Sequence, residues 1–243
     1  MEPAIQGSPA ALTGSAGALL PDALRRLGPE ELYVNEFFLS IQGESTFAGW
    51  PCFFVRLAGC HLRCGWCDSA YAFHEGTVAT VEDCVRRARE SGVTLVEVTG
   101  GEPLLQRAAV VLLARLADAG FRVLLETSGA VPIDAVDARV VRIVDVKCPG
   151  SGMEKRNCAG IERSLRPTDE LKFVIADRAD YEWARSWVAA RARTLPRGIP
   201  IHFSPVTGSA PAADLAAWIL EDRLEVRLNV QLHKVLWGDR RGV

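Results

Sequence analysis

Neither sign of charge dominates this sequence. Lys and Arg total 28 against 30 Asp and Glu, a formal net charge of -2. Nothing global therefore argues for a nucleic acid or an anionic membrane as partner. A basic patch with interleaved aromatics is also missing, so no nucleic-acid-binding module is supported. No uninterrupted apolar run approaches the roughly 20 residues needed to span a bilayer. There is no internal repeat with a period of about 20–50 residues and no second hydrophobic unit. What is present is 243 residues, 49% hydrophobic and 24% charged. That composition is globular, and the length suffices to bury a sizeable core.

Seven cysteines stand at 52, 60, 64, 67, 84, 148 and 158. An odd number cannot all pair within one chain. Three of them fall within eight residues, which suits a metal or redox site better than a disulfide framework and implies a reducing, cytoplasmic setting.

The first thirty residues differ from the rest. Residues 4–20 are rich in Ala, Gly, Ser and Leu, but only Glu2 precedes them and no Lys or Arg does, so the positive region of a signal peptide is missing. Residues 1–30 read as a poorly ordered extension closed by Gly28-Pro29, and residues 31–243 as a single domain. Strands are expected at 32–41, 53–57, 95–99, 122–125, 140–146, 170–176, 199–203 and 225–230. Thr80 and Asp83 resemble a capping box before a helix over 81–90. Further helices are expected around 109–117, where Ala109, Leu112, Leu113, Leu116 and Ala117 share a face, and over 181–193 and 212–220. This alternation predicts an α/β fold whose parallel sheet curls into a full or partial barrel.

The stretch Gly59-Cys60-His61-Leu62-Arg63-Cys64-Gly65-Trp66-Cys67-Asp68-Ser69 has the pattern C-x3-C-x2-C. Thiolates on a short loop select zinc, Cu(I) or an iron–sulfur cluster. A structural zinc wants a fourth ligand, and His61, Cys52 and His74 are the candidates. Three buried, unligated cysteines are the plain alternative. About thirty residues on, Thr99-Gly100-Gly101-Glu102-Pro103 ends an apolar strand. Its glycines admit close approach of a ligand, and its amides favour an anion. Gly100-Gly101-Glu102-Pro103 alone reads equally as an ordinary βα turn.

Together, Cys60, Cys64, Cys67 and the Gly100–Pro103 turn resemble the signature of the radical S-adenosylmethionine (SAM) superfamily. The resemblance implies a partial parallel (β/α)6 barrel. It implies a [4Fe–4S] cluster on the three cysteines, with SAM on the open iron and a 5′-deoxyadenosyl radical as the product of its cleavage. Residues 35–44, 54–59, 68–69, 145–152 and 228–234 narrow the likeness to the 7-carboxy-7-deazaguanine synthase family, over about residues 32–238. That family converts 6-carboxy-5,6,7,8-tetrahydropterin to 7-carboxy-7-deazaguanine with loss of ammonia, in queuosine and deazapurine biosynthesis, and requires magnesium.

Site roles follow from the resemblance. Ile41, Gln42, Gly43 and Glu44 would meet the flat pterin edge; a solvated strand end is the competing reading for the two polar side chains. Arg56 suits the substrate carboxylate, or else a structural ion pair. Thr99 and His233 complete the substrate set. Ser69, at a position often Thr in the family, would reach magnesium or serve as a helix cap. Trp66, Cys67, Asp68, Gly101, Glu102, Ser128, Asp145, Lys147 and Ser204 would hold SAM, although Asp145 and Lys147 would serve equally as a mutual ion pair. Where some family members use the terminal carboxylate, this chain runs on to Val243, and that contact is not transferred. Cys52, Cys84, Cys148 and Cys158 match no cluster position. The resemblance also implies a homodimer and a one-electron donor such as flavodoxin or ferredoxin. The alternatives are another radical SAM enzyme, such as a glycyl-radical-enzyme activase with a protein substrate, and a non-catalytic zinc module.

Overall fold

The computed structural model describes residues 20–209 and 211–243. The chain opens with a long hairpin, β1 (Glu31–Ile41) antiparallel to β2 (Pro51–Leu57), and β3 (Thr77–Thr80) adds to the outer edge of β1. Six strands follow: β4 (Leu95–Gly100), β5 (Arg122–Thr127), β6 (Val141–Asp145), β7 (Glu170–Ile175), β8 (Ile201–Pro205) and β9 (Arg227–Leu228). The sheet order is β3-β1-β2-β4-β5-β6-β7-β8-β9. Every neighbouring pair from β2 to β9 is parallel. The result is a parallel sheet of the partial-barrel kind, prefaced by an antiparallel hairpin.

Five helices are described: α1 (Val81–Glu90), α2 (Arg107–Asp118), α3 (Arg178–Arg191), α4 (Ala212–Glu221) and α5 (Leu232–Trp237). The capping box at Thr80 and Asp83 is formed in both directions. Leu112, Leu113 and Leu116 of α2 are wholly buried against Val96 and Val98 of β4 and Val85 of α1. A second outer core packs Tyr181, Ala184 and Trp187 of α3 and Leu215 of α4 on Phe173 and Phe203. Inside the curve, Cys52, Phe54, Leu95, Leu124 and Ile143 form a separate apolar layer. Each strand thus sends alternate side chains to the helices and to the barrel interior.

Three features depart from the expected pattern. The segments 128–140 and 146–169 carry no α-helix, only the 3-10 turns Pro149–Ser151, Glu154–Arg156 and Ile161–Arg163 in the latter. A buried guanidinium holds these loops. Arg142, 1% exposed, donates to Asp169 Oδ1 at 3.0 Å, Ile133 O at 2.8 Å and Ser164 O at 2.6 Å. A satisfied network of this kind ties irregular chain to a strand. The final strand is two residues long rather than the expected six, and the chain turns at once into α5. β3 and α5 are short, and neither has the length of pattern from which periodicity is read.

The expected extension over 1–30 falls largely on residues 1–19, outside the described residues. Its later part packs on the domain. Asp22–Arg25 forms a 3-10 turn, and Leu24 lies so close to Gly59 that a Cβ there would stand 2.5 Å from its Cδ1.

Candidate active site

A cavity of about 730 Å³ opens inside the curve of the sheet. Its lining comes from the C-terminal halves of the parallel strands, where ligands of such folds gather, together with the cysteine loop, the segment after β1 and the C-terminal segment.

The cysteine loop is laced to the glycine turn by backbone hydrogen bonds. Gly101 N donates to Leu57 O at 3.0 Å and Glu102 N to Gly59 O at 2.9 Å. Only glycine fits: a Cβ on Gly101 would lie 2.3 Å from Gly59 O, and Gly100 has φ +132°. Gly65 N donates to Ser151 O at 3.1 Å, so the loop also rests on the turn after β6.

Cys60, Cys64 and Cys67 are free thiols that line the cavity. Burial pushes the Cys60 thiol up to about 11, against a hydrogen bond from Leu62 N. Such thiols stay protonated until a metal displaces the protons. Three thiols on one loop are the donor set of a cubane cluster with one open iron, whereas a structural zinc wants a fourth ligand. Lys147 Nζ lies 2.8 Å from Asp145 Oδ2, and the charge of Asp145 raises its pKa against burial. The alternative reading of 145 and 147 as an ion pair therefore holds, and both still line the cavity.

Glu102 has a different place from the one expected of a cofactor ligand. It is fully buried, and its carboxylate accepts from Leu104 N at 3.0 Å, Thr127 Oγ1 at 2.9 Å, Ser128 N at 2.8 Å and the Ser128 hydroxyl. It thereby fastens the turn after β4 to the end of β5. Its negative charge is used by the chain itself, since buried carboxylates need such donors. Ser69 precedes the 3-10 turn Ala70–Phe73 without a side-chain capping bond. Its hydroxyl faces the cavity rim, 4.0 Å from Cys67 Sγ. The helix-cap reading of Ser69 is thus not met.

Opposite the cysteines lies a polar group on the inner face of the sheet. Gln42 is 4% exposed; its Nε2 donates to Glu97, and its Oε1 accepts from Glu44 N at 3.1 Å. It is no solvated strand end. Glu44 pairs with Lys172, and Lys172 Nζ is also 2.7 Å from Glu126 Oε1. Burial would raise the Glu126 carboxyl, but Lys172 outweighs it and holds the pKa below the ordinary value. Thr99 Oγ1 donates to Glu126 at 3.1 Å. Arg56 Nε donates to Glu36 at 2.8 Å, and the guanidinium lies between the rings of Phe38 and Tyr71. The ion-pair reading of Arg56 is therefore present, and the residue also lines the cavity. Ser204 is buried and accepts from Asn229 Nδ2 at 3.3 Å.

The C-terminal segment closes this chamber. Leu232 N donates to Gly43 O at 2.9 Å. A Cβ on Gly43 would stand 2.0 Å from His233 Nδ1, so only glycine lets the ring come this close to the backbone. Gln231 Nε2 donates to Glu44 at 2.7 Å and to Asp68 at 3.2 Å, and Lys234 Nζ lies 3.3 Å from Asp68. Burial lowers the pKa of His233 despite Glu44 and Asp68 nearby, which favours the neutral ring. Thr46, further along the loop after β1, donates from N to Glu170 at 3.0 Å, and Glu170 in turn lies 2.7 Å from His202 Nε2.

Sequence reading did not single out Glu97 or Lys172 as site residues, and it noted Glu126 only as part of the strand end Glu126-Thr127-Ser128. The available signal was a charge inside an apolar strand: Glu97 in Leu95–Gly100 and Lys172 in Glu170–Ile175. A buried, unpaired charge is costly, so such a residue needs a partner or a function. The residues 238–243 also line the cavity mouth; Arg241 pairs with Glu75 at 3.0 Å and stacks on Tyr71.

Comparison with known proteins adds three findings. The Radical SAM superfamily pattern matches residues 55–143. The 7-carboxy-7-deazaguanine synthase of Chlorobaculum tepidum is 47% identical over 216 residues, covering 87% of this chain and 97% of that one. The enzyme of the same name from Koribacter versatilis is 45% identical over 225 residues, covering 85% and 97%. Among solved structures, QueE from Escherichia coli superposes with a TM-score of 0.69 at 22% identity, over 91% of this chain and 100% of that one, a likeness of fold.

Proposed function

The chain belongs to the 7-carboxy-7-deazaguanine synthase family of radical SAM enzymes, and from that premise we infer how its cavity carries out the reaction. The substrate is a small molecule, 6-carboxy-5,6,7,8-tetrahydropterin, and the product is 7-carboxy-7-deazaguanine. Substrate equals product plus ammonia, so the conversion is redox-neutral, and SAM can be regenerated rather than consumed. One observation carries the reading: Cys60, Cys64 and Cys67 share a single cavity with Gln42, Glu44, Arg56, Thr99 and His233.

When bound, the [4Fe–4S] cluster and SAM would supply radical, hydrogen-abstracting chemistry. The chain's part is to hold, orient and shield. Cys60, Cys64 and Cys67 hold the cluster, and Lys147 sets a positive charge beside Cys64. Trp66, Asp68, Gly101, Ser128, Asp145 and Ser204 line the same cavity as the cysteines, which supports their reading as SAM-binding residues. Glu102 works from behind, fixing the turn that presents Gly101 and the strand end that presents Ser128. Arg56 presents its outer nitrogens to the substrate carboxylate. Glu44 and Glu126 accept from amino and ring N–H groups. His233 and the Ile41–Gly43 backbone close the chamber, and Ser69 offers one hydroxyl to a magnesium ion that otherwise keeps water and substrate oxygens.

Partners follow at lower resolution. A one-electron donor such as flavodoxin or ferredoxin suits the exposed Lys155 and Arg156, on the segment packed against the cysteine loop. A homodimer is supported by the exposed Leu228, Val230, Val235 and Leu236 on β9, the turn after it and α5. Free thiols at all seven cysteines suit the cytoplasm. Among the described residues no helix is long and apolar enough to cross a membrane.

An anaerobic assay tests the reading. Reconstituted protein receives SAM, reductant, magnesium and the tetrahydropterin, and products are read by mass spectrometry. The expected product is 7-carboxy-7-deazaguanine with SAM largely unconsumed. Formation of 5′-deoxyadenosine without that product would reject the pterin and keep the radical chemistry.

A further inference from the structure

The inner face of β4 presents Leu95, Glu97 and Thr99 in succession: an apolar residue of the inner layer, an acid, and a hydroxyl bonded to Glu126. Glu97 is 3% exposed and lines the cavity directly above that apolar layer. The groups that face it are Gln42 and Glu44 from the segment after β1, the Cys52 thiol from β2, Glu126 from β5 and Lys172 from β7. Three carboxyl groups therefore share one cation. Lys172 is in contact with Glu44 and Glu126, while Glu97 has only the amide of Gln42. Like charges this close cannot all ionise in a dry site. The group without a cation is the one that keeps its proton. Burial, followed by the charges of Glu126 and Glu44, drives the Glu97 carboxyl well above the ordinary range, against the pull of Lys172 and Gln42.

We propose that Glu97 is a hydrogen-bond donor at the floor of the substrate chamber: a carboxylic acid that accepts from Gln42 with one oxygen and offers its O–H to an acceptor atom of the pterin ring. This deepens the reading of the cavity as a pterin site and rests on it. A pterin edge carries amino and N–H donors beside a carbonyl acceptor. The carboxylates of Glu44 and Glu126 serve the donors, and the neighbouring cation, Lys172, is engaged by both of them. A neutral acid supplies the missing donor, and by fixing the Gln42 amide it also fixes which way that amide points.

The test compares wild type, Glu97→Gln and Glu97→Leu as reconstituted holoenzymes, with KM and kcat for the tetrahydropterin measured from pH 6 to 9. The amide keeps one donor and one acceptor, so Glu97→Gln stays within about 3-fold of wild-type KM. It also loses any alkaline rise in KM that wild type shows. Glu97→Leu raises KM about 10-fold or more, because a buried acceptor is left unpaired, while SAM affinity is unchanged. Infrared spectra give a readout independent of turnover and of the Leu variant's folding: wild type shows a protonated-carboxyl C=O band that Glu97→Gln removes. A wild-type KM in Glu97→Leu, a Glu97→Gln variant as weak as the Leu one, or an unchanged carboxyl band would each overturn the proposal. Failure of the function reading is seen earlier and separately, as absence of 7-carboxy-7-deazaguanine from the wild-type reaction.

Discussion

Replacing Lys172 with methionine removes the buried cation that two partly buried carboxylates share, and it changes how stability depends on pH. The Lys172 side chain is 8% exposed; it contacts Glu44, 14% exposed, and lies 2.7 Å from Glu126, 29% exposed. Breaking a fully buried pair by deleting one partner costs about 3–5 kcal/mol; solvent reaches both carboxylates here, so the low end, about 3 kcal/mol, applies. For a domain of this size about 1 kcal/mol moves Tm by roughly 2–4 °C, so the loss corresponds to roughly 6–12 °C. In wild type, Lys172 holds the Glu126 pKa below its unfolded value despite burial. That group's contribution is present above the unfolded pKa and lost as pH falls. Burial would lower the pKa of Lys172, but the charges of Glu126 and Glu44 outweigh it; the net shift is upward, so its contribution is present at neutral pH and lost only as pH rises through the alkaline range. Without Lys172, burial acts on Glu126 unopposed. Its folded pKa then exceeds the unfolded value of about 4.3, the folded state binds more protons, and stability falls as pH rises. Thermal melts of wild type and Lys172→Met at pH 5, 6.5 and 8 measure this. The deficit should be largest at pH 8 and shrink toward pH 5. An equal deficit at all three, or none, would refute the reasoning.

Three further outcomes follow from the site. Alanine at Cys60, Cys64 or Cys67 should each abolish SAM cleavage and the brown colour of the reconstituted protein, whereas Cys84→Ala should keep both; full activity in Cys64→Ala would remove the cluster assignment. Arg56→Ala should raise the apparent KM for the tetrahydropterin about 10-fold or more with little change in SAM cleavage in its absence, and unchanged kinetics would show that the carboxylate is held elsewhere. Gly43→Ala places a methyl 2.0 Å from His233 Nδ1, so the C-terminal segment must shift; protease sensitivity near residue 232 and KM should rise together, and an unaltered pair of values would show that the contact is dispensable.

Much of the site was legible because its chemistry is local in sequence. The cysteine spacing and the glycine turn state their meaning within a few residues, and the capping box at Thr80 is likewise a four-residue statement. Apolar strands such as Leu95–Gly100 and helix α2 announced themselves by period. Residue type also narrowed Arg56, Asp145 and Lys147 to binding or pairing, and the structure holds both pairs. Glu102 was read from its motif as a cofactor ligand, yet its partners Thr127 and Ser128 lie a strand away, and no local rule could bring them to it.

The sequence by itself determined that a thiol-rich loop and a glycine turn would stand at neighbouring strand ends of an α/β fold, because such signals depend on spacing and backbone geometry. Only the tertiary structure decided which charges meet. Glu44, Glu97, Glu126 and Lys172 come from four separate parts of the chain, and Gln231, His233 and Lys234 return from the far end to close over Gly43 and Asp68. Whether a buried acid is ionised depends on the sum of those neighbours, and that sum exists only once the sheet has curled and brought them within a few ångströms of one another.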